Sequence, residues 1–172
     1  MTRIVYLLLV TSLVIPTVNS CDNNPTSSPF TNSTYSALIS SPVLTVAPGA
    51  GSNLLTNSAF KVNGNPSLIG WSSNDTAGIT VESFDKPPGI GTNSMRLKNY
   101  GAYGETFVTG ISGHEIVRLS YWAKVPRQPY QTALFASLVQ TRDGLGQLSE
   151  ADQSDTWSFL VLIFATGVIS IL

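Results

Sequence analysis

The stretch that most constrains this chain is residues 113–125, GHEIVRLSYWAKV. It opens with a turn and then alternates. Ile116, Arg118, Ser120, Trp122 and Lys124 fall on one side of an extended chain, and Val117, Leu119, Tyr121, Ala123 and Val125 on the other. Successive side chains of a strand point to opposite faces, so one face is wholly apolar and the other mixed. Such a strand belongs in a sheet with one face on a core and the other partly wet. Pro126 ends it, because proline cannot donate to a ladder.

From Ser52 onward the chain reads as short β-runs around this strand. Strands are expected at 53–60, 69–72, 80–84, 94–98, 104–108, 116–125, 133–142 and 157–166, with 168–172 as a further candidate. Clusters of Gly, Pro, Asn and Asp separate them, as at 63–66, 85–89 and 143–144. No helical periodicity of useful length intervenes. Many short strands at this spacing imply an all-β sandwich or jelly roll.

Composition narrows the function. Charged residues make up only 11% and the formal net charge is −1, so no basic surface invites nucleic acid. The lone Cys21 excludes an intramolecular disulfide framework and a cysteine-cluster metal site. The lone His114 leaves the commonest catalytic base and metal ligand at one position only. Both count against a triad hydrolase or a zinc enzyme.

Ahead of the β-runs the sequence resembles an exported protein. Residues 1–20 have the parts of a signal peptide: Arg3 near the start, an apolar run over 4–15, and small or polar residues before Cys21. That run is short of the ~20 residues of a membrane span. Val18-Asn19-Ser20-Cys21 resembles the lipobox of bacterial lipoproteins, with Asn19 a departure from the small residue usual there. The resemblance implies lipidation of Cys21 and a membrane anchor in the cell envelope; the alternative is an ordinary cut near Ser20 that leaves a free thiol. Residues 21–51 are rich in Ser, Thr, Asn and Pro and are expected to form a disordered linker, with the apolar patches at 37–39 and 43–46 left undocked. The folded domain is expected over 52–172.

Within that domain, Asn53-Leu54-Leu55-Thr56-Asn57-Ser58-Ala59-Phe60 followed by Gly70-Trp71 resembles the opening of carbohydrate-binding-module-like domains of the galactose-binding-like jelly-roll superfamily. Ser94-Met95-Arg96-Leu97, the strand Arg118–Lys124 and Asp155-Thr156-Trp157 resemble later pieces of the same family, in the same order. The resemblance covers most of 52–166. It implies a jelly roll that binds sugar, and a structural role for Trp71, Trp122 and Trp157. It also implies a closing strand with a calcium-binding acid, which has no counterpart before Leu172. The expected sandwich therefore lacks its last strand.

Sugar rings stack on flat aromatic surfaces and their hydroxyls need fixed polar partners. Tyr100 and Tyr103, in the glycine-punctuated run 98–104, and Tyr130 in 126–130 are the aromatics hardest to explain as core. With Asn99 and Gln128 beside them, they are the expected ligand contacts. The acids form no pair of the kind a glycosidase needs, and no enzyme activity is expected. The acidic run at 150–155 reads as a polar loop; calcium there is the one structural ion to consider, and no cofactor is expected. The uncharged tail 159–172 reads as a strand or as a glycolipid-anchor signal, its β-branched content favouring the strand. The expected function is a non-catalytic envelope protein that binds glycan or surface polysaccharide. Two alternatives are an adhesion or structural protein without a sugar site, and a fragment of a secreted glycosidase.

Overall fold

The computed structural model describes residues 3–14, 37–47, 51–91, 93–98, 102–111, 115–127, 131–140, 146–151 and 153–165. In chain order its strands are β1 (Arg3–Val14), β2 (Ala37–Ala47), β3 (Lys61–Val62), β4 (Asn65–Pro66), β5 (Ser72–Ser73) and β6 (Ile79–Glu82). They continue with β7 (Ser94–Leu97), β8 (Tyr103–Ile111), β9 (Ile116–Val125), β10 (Gln131–Gln140), β11 (Gly146–Ala151) and β12 (Ser154–Ala165). No helix occurs among the described residues. A first sheet has the order β11-β10-β1-β8-β5, a second β12-β9-β2-β7-β6, and β3-β4 is a small hairpin. Every pairing is antiparallel.

The expected alternation of β9 holds through its length. Val117, Leu119, Tyr121, Ala123 and Val125 are buried, while the intervening residues are partly or fully exposed. The buried face joins Ala37, Ile39, Leu44, Ile79, Met95, Leu97 and Leu162 of the second sheet to Val108, Ile111, Leu134 and Ala151 of the first, in one core. Two antiparallel sheets sharing one apolar layer is the arrangement of a β-sandwich. Each fully buried aliphatic side chain contributes roughly 1.5–3 kcal/mol. At Gly104 of β8 the sheets are in close contact, and a Cβ would lie 2.8 Å from Met95 Sδ and 3.1 Å from Ile79 Cδ1. A side chain there would require the Met95 and Ile79 side-chain ends to shift.

Several expectations are corrected. Residues 37–47 do not belong to a linker; they form β2, hydrogen-bonded to β9 on one side and β7 on the other. Pro42 hides the strand from a sequence reader, since proline within an apolar run argues against a central strand. Here it lies where the β2–β9 register shifts between Ser40 and Val43, beside Ser41 at φ 50°. A bulge needs no donor at that position. Asn53 secures it: its Oδ1 accepts from Leu44 N at 2.9 Å and its Nδ2 donates to the Pro42 carbonyl at 3.2 Å.

Residues 53–60, expected as a strand, form a turn held by their asparagines instead. Asn57, at φ 51°, donates from Nδ2 to the Ser67 and Ile69 carbonyls (2.8 and 3.0 Å) and accepts from Lys61 N at 2.7 Å. Trp71 Nε1 donates to the Asn57 carbonyl at 3.3 Å, and the indole packs on buried Phe60 with ring centroids 5.4 Å apart. The motif residues Asn53, Asn57, Phe60 and Trp71 thus build a corner of the domain. Of the expected strand 69–72, only Ser72 lies in a strand, the two-residue β5.

β11 was not anticipated; it carries Glu150, opposite Phe135 of β10, and Asp155 lies in β12, so the expected polar loop is confined to the junction of these strands. Residues 159–165 are strand, paired with β9. Residues 166–172, including the candidate strand at 168–172, lie outside the described residues. The apolar run expected as an export signal is paired as β1, between β8 and β10.

Candidate functional site

The outer face of the second sheet is the side of β9 that carries Trp122 and Lys124. The strand registers fix what shares it. Phe159, Trp122, Ser40, Ser94 and Glu82 lie in one line across β12, β9, β2, β7 and β6. One step along, Lys124, Leu38, Arg96 and Thr80 form the next line. The line between them, Ala123, Ile39, Met95 and Val81, points into the core.

At one end of this face two rings meet. Trp122 and Phe159 sit with centroids 5.3 Å apart and planes at 52°, a tilted pairing that suits the ring quadrupoles. Phe159 is 52% exposed, so the pair is open to solvent. Beside it the polar side chains are held by one another. Lys124 Nζ reaches Asp85 Oδ2 at 2.9 Å and Oδ1 at 3.0 Å, and Trp157 Nε1 donates to Asp85 Oδ1 at 3.2 Å. Arg96 Nη2 lies 3.0 Å from Glu82 Oε2. Arg96 Nε is buried with no hydrogen-bond partner among the described residues, a donor whose desolvation costs about 1–3 kcal/mol unless water meets it.

The β6–β7 connection supplies Asp85 and is tied down over the same face. Ser94 Oγ donates to the Asp85 carbonyl, and Ser40 Oγ to the Asn93 carbonyl at 3.0 Å. Both serines are fully buried, and so is Leu38, although the Leu38 side chain is on the face away from the core. Phe84, the neighbour of Asp85, is 95% exposed.

These positions correct the structural reading of Trp122. Trp122 is not between the sheets; Tyr121, 0% exposed, is the aromatic of β9 that fills the core. Trp157 falls where the β9–β12 register shifts between Ser154 and Ser158, and its indole turns to Asp85. Trp71 does pack against the core. Among the expected ligand contacts, Tyr103 is the first residue of β8, half-buried, with its backbone N–H on Asn74 Oδ1 at 3.0 Å. Asn99, Tyr100, Gln128 and Tyr130 lie outside the described residues, as do Cys21 and His114.

Phe159, Phe84, Asp85, Glu82 and Arg96 were missed as site residues. The alternation of β9 already set Trp122 with Lys124 on the mixed face, which was the one available signal. Their partners come from strands and a loop whose register no local pattern specifies. Among the described residues no three His, Cys, Asp or Glu side chains come together as a metal site would need. Comparison with protein-family models, curated proteins and solved structures finds no match for this chain.

Proposed function

We propose that this chain is an exported, non-catalytic jelly-roll β-sandwich, anchored in the cell envelope through a lipid on Cys21, that binds a glycan or surface polysaccharide on the outer face of its second sheet. The observation that carries this reading is the exposed Trp122–Phe159 pair next to the fixed Lys124–Asp85–Trp157 and Arg96–Glu82 groups. The rings offer a surface on which the apolar face of a pyranose stacks. The anchored charges of Lys124, Asp85, Arg96 and Glu82 offer hydroxyl partners that need no reordering on binding. The sheet face replaces the tyrosine loops as the preferred site because its groups converge.

A glycan array and affinity electrophoresis with the full chain test this. Trp122→Ala with Phe159→Ala is expected to retain the β-sheet spectrum and bind roughly tenfold more weakly, the equivalent of about 1.4 kcal/mol. Tyr100→Ala with Tyr103→Ala is expected to bind as the parent does; the reverse pattern moves the site to the loops. A parent that binds no glycan supports the adhesion reading instead. For that role the exposed Ile116, Val161 and Ile163, farther along the same face, form the apolar contact surface.

A further inference from the structure

Residues 3–14 carry two incompatible roles. Their sequence has the apolar run of a cleavable export signal, yet in the fold they form β1, inside the first sheet. β1 pairs with β10 from Val5↔Gln140 to Val14↔Gln131, and with β8 at Arg3↔Ile111 and from Val5↔Val108 to Val10↔Tyr103. Among the described residues it is the only strand that links the halves of that sheet: without it β8 keeps the two-residue β5, and β10 keeps β11. A cut before Cys21 would leave a gap of roughly 9.6 Å between β8 and β10, twice the ordinary strand spacing. Both strands would then present a row of unpaired N–H and C=O groups, the usual template for an added strand.

We infer that the space between β8 and β10 is a strand-accepting site, filled by β1 in the unprocessed chain and by an extended apolar segment of another polypeptide once the signal is removed. This rests on the export reading above. The chemistry of the occupant follows from what the slot holds now. It runs antiparallel to both neighbours and is about ten residues long, the length over which β10 is paired. It is also uncharged through its middle, as residues 4–14 are. The register bears on the last requirement: Leu7 lies opposite Thr106, which is 2% exposed, and Leu9 opposite Gly104, where an added Cβ would lie 2.8 Å from Met95 Sδ of the second sheet. An occupant with carboxylates opposite these two buried positions of β8 would lose water there, which is strongly unfavourable without a charge partner.

The test keeps every strand. A site-specific protease sequence replaces residues 25–31 of the full chain, and the purified protein is cut there. The N-terminal piece is expected to co-elute with the remainder under native conditions. An excess of fluorescent peptide spanning residues 3–14, with lysines added at its ends, is expected to displace it and enter with defined stoichiometry. The same peptide carrying Leu7→Asp and Leu9→Asp is expected to enter at least tenfold less. If the remainder unfolds on losing its piece, rescue by fresh peptide supports the site and failure of rescue overturns it. Three other results overturn it. They are an emptied remainder that closes into a fold and ignores the peptide, an aspartate peptide that enters equally well, and self-association into dimers that refuse the peptide, which assigns the slot to a second copy. None of these measurements depends on export, which the Cys21 variant described below tests separately.

Discussion

Asn57 does the work of several residues in the corner between β2 and β5. Its amide bonds three backbone groups, and its own φ of 51° lies in the left-handed region, which asparagine tolerates better than most residues. Asn57→Ala removes the bonds and keeps the unfavourable dihedral, for an expected loss of about 2–4 kcal/mol. Asn57→Gly removes the bonds but suits the dihedral, and is expected to cost less. Urea denaturation midpoints of the two variants check the order; equal losses would mean that the dihedral contributes nothing. The Trp71 indole leans on the same residue, so its fluorescence is expected to red-shift in both.

At the scale of the element, β9 shows how one strand serves core and surface together. Its neighbours in sequence, Tyr121 and Trp122, point to opposite sides of the sheet, and size alone says nothing about which is structural. Tyr121→Ala empties a fully buried site and is expected to cost about 3–5 kcal/mol. Trp122→Ala loses a half-exposed contact with Phe159 and is expected to cost no more than about 1.5 kcal/mol. Thermal denaturation of the two variants checks this, and a larger loss at Trp122 would return that ring to a core role. β2 makes the complementary point. It is central in its sheet, yet it tolerates Pro42 because the bulge between Ser40 and Val43 removes the need for a donor there.

For the whole molecule, the proposed anchor and the proposed strand-accepting site concern opposite sides of one cut. Lipidation of Cys21 requires removal of the residues that form β1. Cys21→Ser is expected to abolish fatty-acid labelling and to shift the protein from the membrane to the soluble fraction. An unchanged membrane partition in that variant would remove the lipid anchor from the account. The exposed Phe159, Val161 and Ile163 make β12, an edge strand of the second sheet, an apolar open strand, and the exposed Ile116 of β9 lies beside it, opposite Ala165.

Local sequence was enough to specify the β class and the strand 116–125 with its buried and open faces, because a period of two is set by the pleat of one strand alone. It also located β6, β7, β8, β10 and β12 to within a few residues, through β-branched runs and the turns between them. It could not specify β2, whose bulge is stable only because Asn53 reaches back from the next segment to bond it. Nor could it distinguish a motif that looks like a strand at 53–60 from a turn held by asparagine side chains. The candidate site needed tertiary structure most of all. Trp122 meets Phe159, and Lys124 meets Asp85, only after four pairings set the register of the second sheet, and contacts between residues so distant in the chain leave no periodic trace in it.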